Sequence, residues 1–123
     1  MAEPTSRSTV EVLGDHWEQG QVGSVEDDLA RNYGRDIVCF TRDGLFHGHD
    51  GIRELNERLL SELGPDPRFE YSVQLTHRDV GFLEWTAESS TARVTDGADS
   101  YVVRDGLIVA QTIHYTVEPH QPA

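Results

Sequence analysis

The chain has 123 residues, of which 37% are hydrophobic, and 22 acidic side chains against 10 basic ones give a formal charge of −12 at pH 7. That length fits one domain around a single core, and so acidic a surface repels phosphate backbones and anionic lipid, which disfavours nucleic-acid and membrane roles. No apolar run approaches the roughly 18 residues of a membrane-spanning helix, the start MAEPTSRSTVEV lacks the apolar centre of a secretion signal, and the single cysteine, Cys39, can form no internal disulfide; the three together point to a cytoplasmic protein.

In chain order, residues 1–7 read as a disordered tail. Ser8-x-x-Glu11 is a capping-box pattern opening a helix with Val10, Leu13 and Trp17 on one face. The stretch GDHWEQGQVG breaks it, with Gly20 and Gly23 as punctuation. Ser24-x-x-Asp27 is a weaker cap, and Val25 and Leu29 stand four apart on the short helix that follows. A short strand, DIVCF at 36–40, leads to a turn at Asp43-Gly44 and a second run, LFH. The third helix takes Asp50 as N-cap, keeps Ile52, Leu55, Leu59 and Leu63 in register, and stops at Gly64-Pro65.

The period then changes from helical to alternating. In FEYSVQLTH (69–77), Phe69, Tyr71, Val73, Leu75 and His77 share one face of a half-buried strand. GFLEWTAES (81–89) is the next strand, after a turn at Asp79–Gly81. Asp96-Gly97 and Asp105-Gly106 are turn signals that bracket DSYVV, and the second suits a tight hairpin into 107–117. Three helical segments followed by a meander of antiparallel strands predict an α+β fold, one domain over 8–118 with a C-terminal tail at 119–123. The helices must cover one face of a curved sheet, which leaves a cavity at its open end.

The order of these elements, with the block RNYGRDIVCF…FHGHDGIREL and the closing DGLIVAQTIHYTVEP, resembles the SnoaL-like branch of the nuclear-transport-factor-2-like superfamily. The resemblance runs from about Val10 to Glu118; its most specific pieces are the short strand, Gly48, the Gly51-Ile52-Arg53 helix start and the closing hairpin. It implies a cone, the cystatin-like fold, in which a strongly bent, mainly antiparallel sheet wraps a long helix, usually as a homodimer. The functions it implies are diverse: polyketide cyclases, ketosteroid isomerases, epoxide hydrolases, dehydratases and domains that only bind. Ketosteroid isomerases carry a tyrosine on the first helix, a base aspartate after the first strand and an acid aspartate on the penultimate strand. Those positions match Leu13, Thr41 and roughly Ala98 to Ser100, so steroid isomerisation by that route is not expected, although a one-residue slip would restore the acid as Asp99. An epoxide hydrolase needs an aspartate near Thr116, and none is there.

His114 is the first candidate for chemistry. Alternation puts Ala110, Thr112, His114 and Thr116 on one face of the closing strand and Val109, Gln111, Ile113, Tyr115 and Val117 on the other. The second face is the more apolar, and periodicity alone makes it the core. The resemblance implies the reverse: the small, polar face lines the pocket and the apolar face packs in the dimer. On that reading His114 is an acid or base, ahead of a structural or a solvent-facing role. Glu84, between Leu83 and Trp85, either faces the pocket as a second proton-transfer group or points outward with Glu88. One strand between them would put Glu84 and His114 roughly 10 Å apart.

His77 is expected near the cone mouth. Trp17, Tyr33, Phe40, Trp85 and Tyr101 are core aromatics that could also line a substrate pocket. His47 and His49 form an HxH pair beside Asp50 without an evident third ligand, and no phosphate loop, CxxC pair or HExxH motif is present, so neither metal nor cofactor is expected. The reading is a small cofactor-independent enzyme in which His114 and Glu84 move protons on an apolar, oxygenated small molecule, as an isomerase, cyclase or dehydratase. The alternative is a non-catalytic binding or dimerisation module of the same fold.

Overall fold

Helix α1 (Thr9–Val22) begins where the capping box requires, in a computed structural model that describes residues 7–120. The Ser8 hydroxyl accepts from the Glu11 amide at 3.1 Å, and the Glu11 carboxylate accepts from the Ser8 amide at 2.8 Å. Both bonds satisfy N–H groups that the first turn leaves free, a contribution of about 1 kcal/mol. The buried stripe is Val12, Leu13 and Trp17, whereas Val10 is exposed. The helix does not break at Gly20; it runs on to Val22, and only Gly23 ends it. Ser24 then caps α2 (Val25–Asn32) through the amide of Asp27.

Strand β1 (Tyr33–Thr41) turns at Asp43-Gly44 into β2 (Gly44–His47), and α3 (Gly48–Leu63) follows. The N-cap of α3 is His47, not Asp50; Asp50 lies within the first turn and pairs with Arg53 at 2.6 Å. Gly64, at φ +88°, stops the helix as expected of a residue without a Cβ. The second half supplies β3 (Arg68–His77), β4 (Val80–Glu88), β5 (Ala92–Arg104), β6 (Leu107–His114) and the two-residue β7 (Glu118–Pro119). The sheet order is β2-β1-β6-β5-β4-β3, with β7 on β5. All pairings are antiparallel except β1 with β6, which are parallel. This is the expected α+β architecture of three helices on a curved, mainly antiparallel sheet.

Bulges bend the strands, and each reassigns side chains between faces. Between Tyr71 and Val73 the β3 register slips, so Tyr71 faces the helices while Val73, Leu75 and His77 turn to the outer face. The single face expected for that strand is therefore split, and Leu75 stands 60% exposed. Asp96-Gly97 is not a turn: β5 runs straight through it with a bulge opposite Trp85 and Ala87. Asp105-Gly106 is the tight hairpin expected, with both residues at positive φ, 54° and 76°.

In β6 a bulge after Ile108 leaves Ile108, Gln111 and Ile113 facing the helices. The closing strand is thus turned opposite to the orientation that the family resemblance implied. The reason is hydrophobic: Ile113 and Tyr115 pack against the core cluster, while Thr112 and His114 lose little by facing water. Arg7 donates to Asn32 at 2.9 Å and to the Gly106 carbonyl at 3.1 Å, and residues 1–6 of the expected tail lie outside the described residues. At the other end Pro119 pairs with Ala92, and His120 donates its amide to Thr91 at 3.0 Å; residues 121–123 lie outside the described residues. No helix among the described residues is long and apolar enough to cross a membrane.

Candidate active site

A cavity of about 370 Å³ lies between the three helices and the inner face of the sheet. Its floor is buried: Tyr33 and Cys39 from β1, Leu83 and Trp85 from β4, Asp99 and Tyr101 from β5, Gln111 from β6. Its mouth is formed by the α1–α2 junction at Gly20, Gly23 and Ser24, by Leu60 of α3 and by Phe69 of β3. Ile52, Leu55 and Leu59 make an apolar wall on α3, where Asn56 adds one amide.

Asp99 is the centre of the floor. Its register partners are Leu83 and Ile113, so apolar side chains flank the carboxylate on both neighbouring strands, and the residue is only 7% exposed. Trp85 donates its indole N–H to Oδ1 at 2.9 Å, Tyr101 donates its hydroxyl to Oδ2 at 2.9 Å, and Gln111 makes a longer 3.4 Å contact to Oδ2. Gln111 is oriented in turn by the Tyr33 hydroxyl, which donates to Oε1 at 2.5 Å. Burial pushes the Asp99 carboxyl up to about 6; the bonds from Trp85 and Tyr101 and the nearby His16 oppose it. Burial likewise pushes Tyr33 and Tyr101 well above the usual phenol range.

Gly97 makes this arrangement possible. It pairs with Trp85, and a Cβ on it would lie 2.3 Å from two indole carbons. The bare backbone therefore lets the indole cross β5 and reach Asp99.

A second polar group stands on the helices. His16 of α1 puts Nδ1 2.7 Å from Asp28 Oδ2 of α2, and Asn32 donates to the other Asp28 oxygen at 2.8 Å. The other imidazole nitrogen, Nε2, lies 3.3 Å from the Tyr101 hydroxyl, which also receives a long 3.4 Å contact from the Trp17 indole. His16 meets the rings of Tyr33 and Tyr101 edge-on at centroid distances of 5.5 and 5.2 Å.

Of the residues singled out in the sequence, Tyr33, Trp85 and Tyr101 line this cavity. Trp17 is buried outside the lining, with its indole N–H toward the Tyr101 hydroxyl. Phe40 and His77 are exposed on the outer face. Glu84 and His114 do fall in one row across the sheet, each paired with Ala98, but that row faces outward. The His114 side chain is 57% exposed and sits 3.8 Å from Asp96, which corrects the inward orientation expected of it, and Glu84 is exposed, the outward one of its two alternatives, so neither catalytic candidate faces the cavity. His47 is exposed at the start of α3, and His49 Nε2 lies 3.1 Å from the Tyr33 carbonyl. Among the described residues no group of three or more His, Cys, Asp or Glu is arranged to hold a metal ion.

His16, Asp28 and Gln111 were not among the candidates singled out in the sequence, and Asp99 was named only as the acid that a one-residue slip would restore. The visible trace was a polar residue beside or within an apolar stripe: His16 before Trp17, Asp28 before Leu29, Asp99 alternating with Tyr101 and Val103.

A family model described as SnoaL-like domain matches residues 10–111. A search of curated proteins finds no match. Among solved structures, a nuclear-transport-factor-2-like protein of unknown function from Burkholderia xenovorans LB400 superposes with a TM-score of 0.71 at 18% identity, over 94% of this chain and 87% of that one. A candidate ketosteroid isomerase from Kribbella flavida DSM 17836 gives 0.72 at 15% identity, over 94% and 82%. TerC, co-crystallised with polyporic acid, gives 0.68 at 19% identity, over 88% and 91%. At such identities the likeness concerns the fold.

Proposed function

The chain belongs to the SnoaL-like domain family, and from that membership we propose that it is an acid/base catalyst acting on a neutral, largely apolar, oxygenated small molecule. One observation carries the reading: a buried carboxyl, Asp99, at the floor of an apolar-walled cavity, held by donors from three strands with its pKa pushed up to about 6. A carboxylate so tuned is a stronger base than an ordinary one yet ionises near neutral pH. It takes a proton from a carbon activated by a neighbouring carbonyl and returns it elsewhere on the same molecule, which suffices for an isomerisation or a cyclisation. In a dehydration it delivers the proton to the leaving hydroxyl. The Asn56 amide on the α3 wall is a donor for the substrate's oxygen.

The cavity lining among the described residues contains no Lys or Arg, while Asp28 and Asp99 are both present. Carboxylate and phosphate substrates would find no counter-charge there, so a neutral molecule is favoured. Co-crystallisation of the fold neighbour TerC with polyporic acid supports a small-molecule occupant.

The test is mass spectrometry of the purified protein for a retained molecule, then turnover assays on that molecule and on neutral aromatic ketones. Asp99→Asn should lower kcat by about 10²- to 10⁴-fold with KM nearly unchanged. Unaltered turnover in that variant sinks the reading. A second reading, a non-catalytic binding module, draws on the engagement of both Asp99 oxygens by protein donors; it is favoured if a ligand is retained and no turnover is found.

For the oligomeric state we propose a homodimer through the outer face of the sheet rather than through Gln111, Ile113 and Tyr115. Leu45, Phe40, Thr112, Ser100, Phe82 and Leu75 are successive register partners across six strands there. Phe40 is 49% exposed in that row, an apolar surface suited to a second copy.

A further inference from the structure

We propose that Asp28, His16, Tyr101 and Asp99 form a relay through which one proton passes between the cavity floor and the imidazole of α1. The inference rests on the acid/base reading of Asp99 and adds the source of its proton.

The geometry is a chain of contacts from helix to sheet: Asp28 to His16 at 2.7 Å, His16 to the Tyr101 hydroxyl at 3.3 Å, and that hydroxyl to Asp99 at 2.9 Å. Asp28, an acceptor, fixes a proton on His16 Nδ1, so in the neutral ring Nε2 carries the lone pair and faces Tyr101. The Tyr101 hydroxyl has one hydrogen and two acceptors to give it to. With Asp99 protonated, its O–H donates to the Tyr101 oxygen and the tyrosine donates to Nε2. In the transfer the Asp99 proton moves to the Tyr101 oxygen while the tyrosine's own proton moves to Nε2. Asp99 becomes a carboxylate, His16 an imidazolium against the Asp28 carboxylate, and Tyr101 stays a neutral phenol. The charge of the set is conserved, and Asp99 is returned to its basic form without water entering the cavity.

The other ionisable groups around Asp99 do not compete. Burial holds Tyr33 and Tyr101 well above the phenol range and pushes Cys39 and Tyr71 up to about 12. From β4 and β6 the polar groups bonded to it are the neutral Trp85 and Gln111, and α3 contributes Ile52, Leu55, Asn56 and Leu59 to the lining. His16 acts through Tyr101 and is a positioning residue.

The experiment is an NMR titration from pH 4 to 9, following the Asp99 carboxyl ¹³C shift and the His16 ring ¹⁵N shifts. Protons shared by a coupled pair come off in two macroscopic steps that both partners report once the coupling exceeds about one pK unit. The relay therefore gives two-step curves with common midpoints at Asp99 and His16, the change falling on Nε2 while Nδ1 stays protonated. In Tyr101→Phe each residue should return to a single step of its own. One-step, independent curves in the unmodified protein overturn the relay, as do two-step curves that survive Tyr101→Phe. Should that variant not fold, the unmodified protein still decides, and in His16→Gln the Asp99 midpoint should rise. No substrate is needed, so loss of coupling leaves the acid/base reading of Asp99 standing, and absence of turnover leaves the relay measurable.

Discussion

The indole of Trp85 crosses Gly97 so closely that a Cβ there would lie 2.3 Å from two of its ring carbons. A rigid ring cannot give way as a flexible chain end can. Gly97→Ala should therefore destabilise the protein by about 1–3 kcal/mol, as overpacking does. It should also displace the Trp85 N–H from Asp99. Urea unfolding measures the first effect; the indole ¹⁵N–¹H resonance, shifted by loss of its carboxylate acceptor, measures the second.

The Asp99 carboxyl gives stability a pH dependence of definite sign. Its folded pKa is raised to about 6 from 3.8, chiefly by burial, so the folded state holds this proton more tightly than the unfolded chain. The contribution is fully present below about 4 and is lost as the pH rises through 6, about 3 kcal/mol over the interval. Other carboxylates act oppositely: Asp15, bonded by Arg31, is held below its ordinary value. The difference between the protein and Asp99→Asn isolates the one group. In urea melts the protein should lose stability relative to that variant between pH 4 and 7; a constant difference would show an unperturbed carboxyl.

Replacing the outward residues should do little. His114→Ala and Glu84→Gln remove exposed side chains from the outer face, and each should change stability by less than about 0.5 kcal/mol. Ligand affinity should be unchanged in both. Ile113→Ala, by contrast, removes a methylene-rich wall of the cavity and a core contact, with an expected cost of about 2–4 kcal/mol in thermal or urea unfolding.

The outer row tests the proposed dimer. Phe40→Glu puts a charge beside Leu45 at one apolar end of the row that runs through Thr112 and Ser100 to Phe82 and Leu75. Sedimentation velocity should then show monomers where the unmodified protein sediments as a dimer, with the far-UV circular dichroism unaltered. A dimer that persists in the variant rules out this face.

Local signals were legible in the sequence, and each had a short-range physical cause. The Ser8 box, the Ser24 cap, the Gly64 stop and the Asp105-Gly106 hairpin involve residues within a few positions of one another. Alternation also placed Ile113 and Tyr115 correctly in the core when taken by itself; the expectation borrowed from the family resemblance turned that strand over. Bulges were not legible, because a register slip at Tyr71–Val73 depends on the partner strand rather than on the local residues. Asp96-Gly97 has the composition of a turn, yet its glycine serves the Trp85 ring across the ladder. His16 and Asp28 stayed hidden for a similar reason. They meet only because α1 and α2 pack together, and Tyr101 joins them from 85 positions away.

The parallel pairing of β1 with β6 has a consequence for biosynthesis. Tyr33 and its partner Gln111 are 78 positions apart, so while the ribosome is still adding the later strands, β1 has no neighbour on that side. Ile37 and Cys39, fully buried at completion, wait uncovered on the nascent chain until the closing strand emerges. Translation that stalls before Gln111 should leave an adhesive, chaperone-dependent intermediate rather than a smaller working protein.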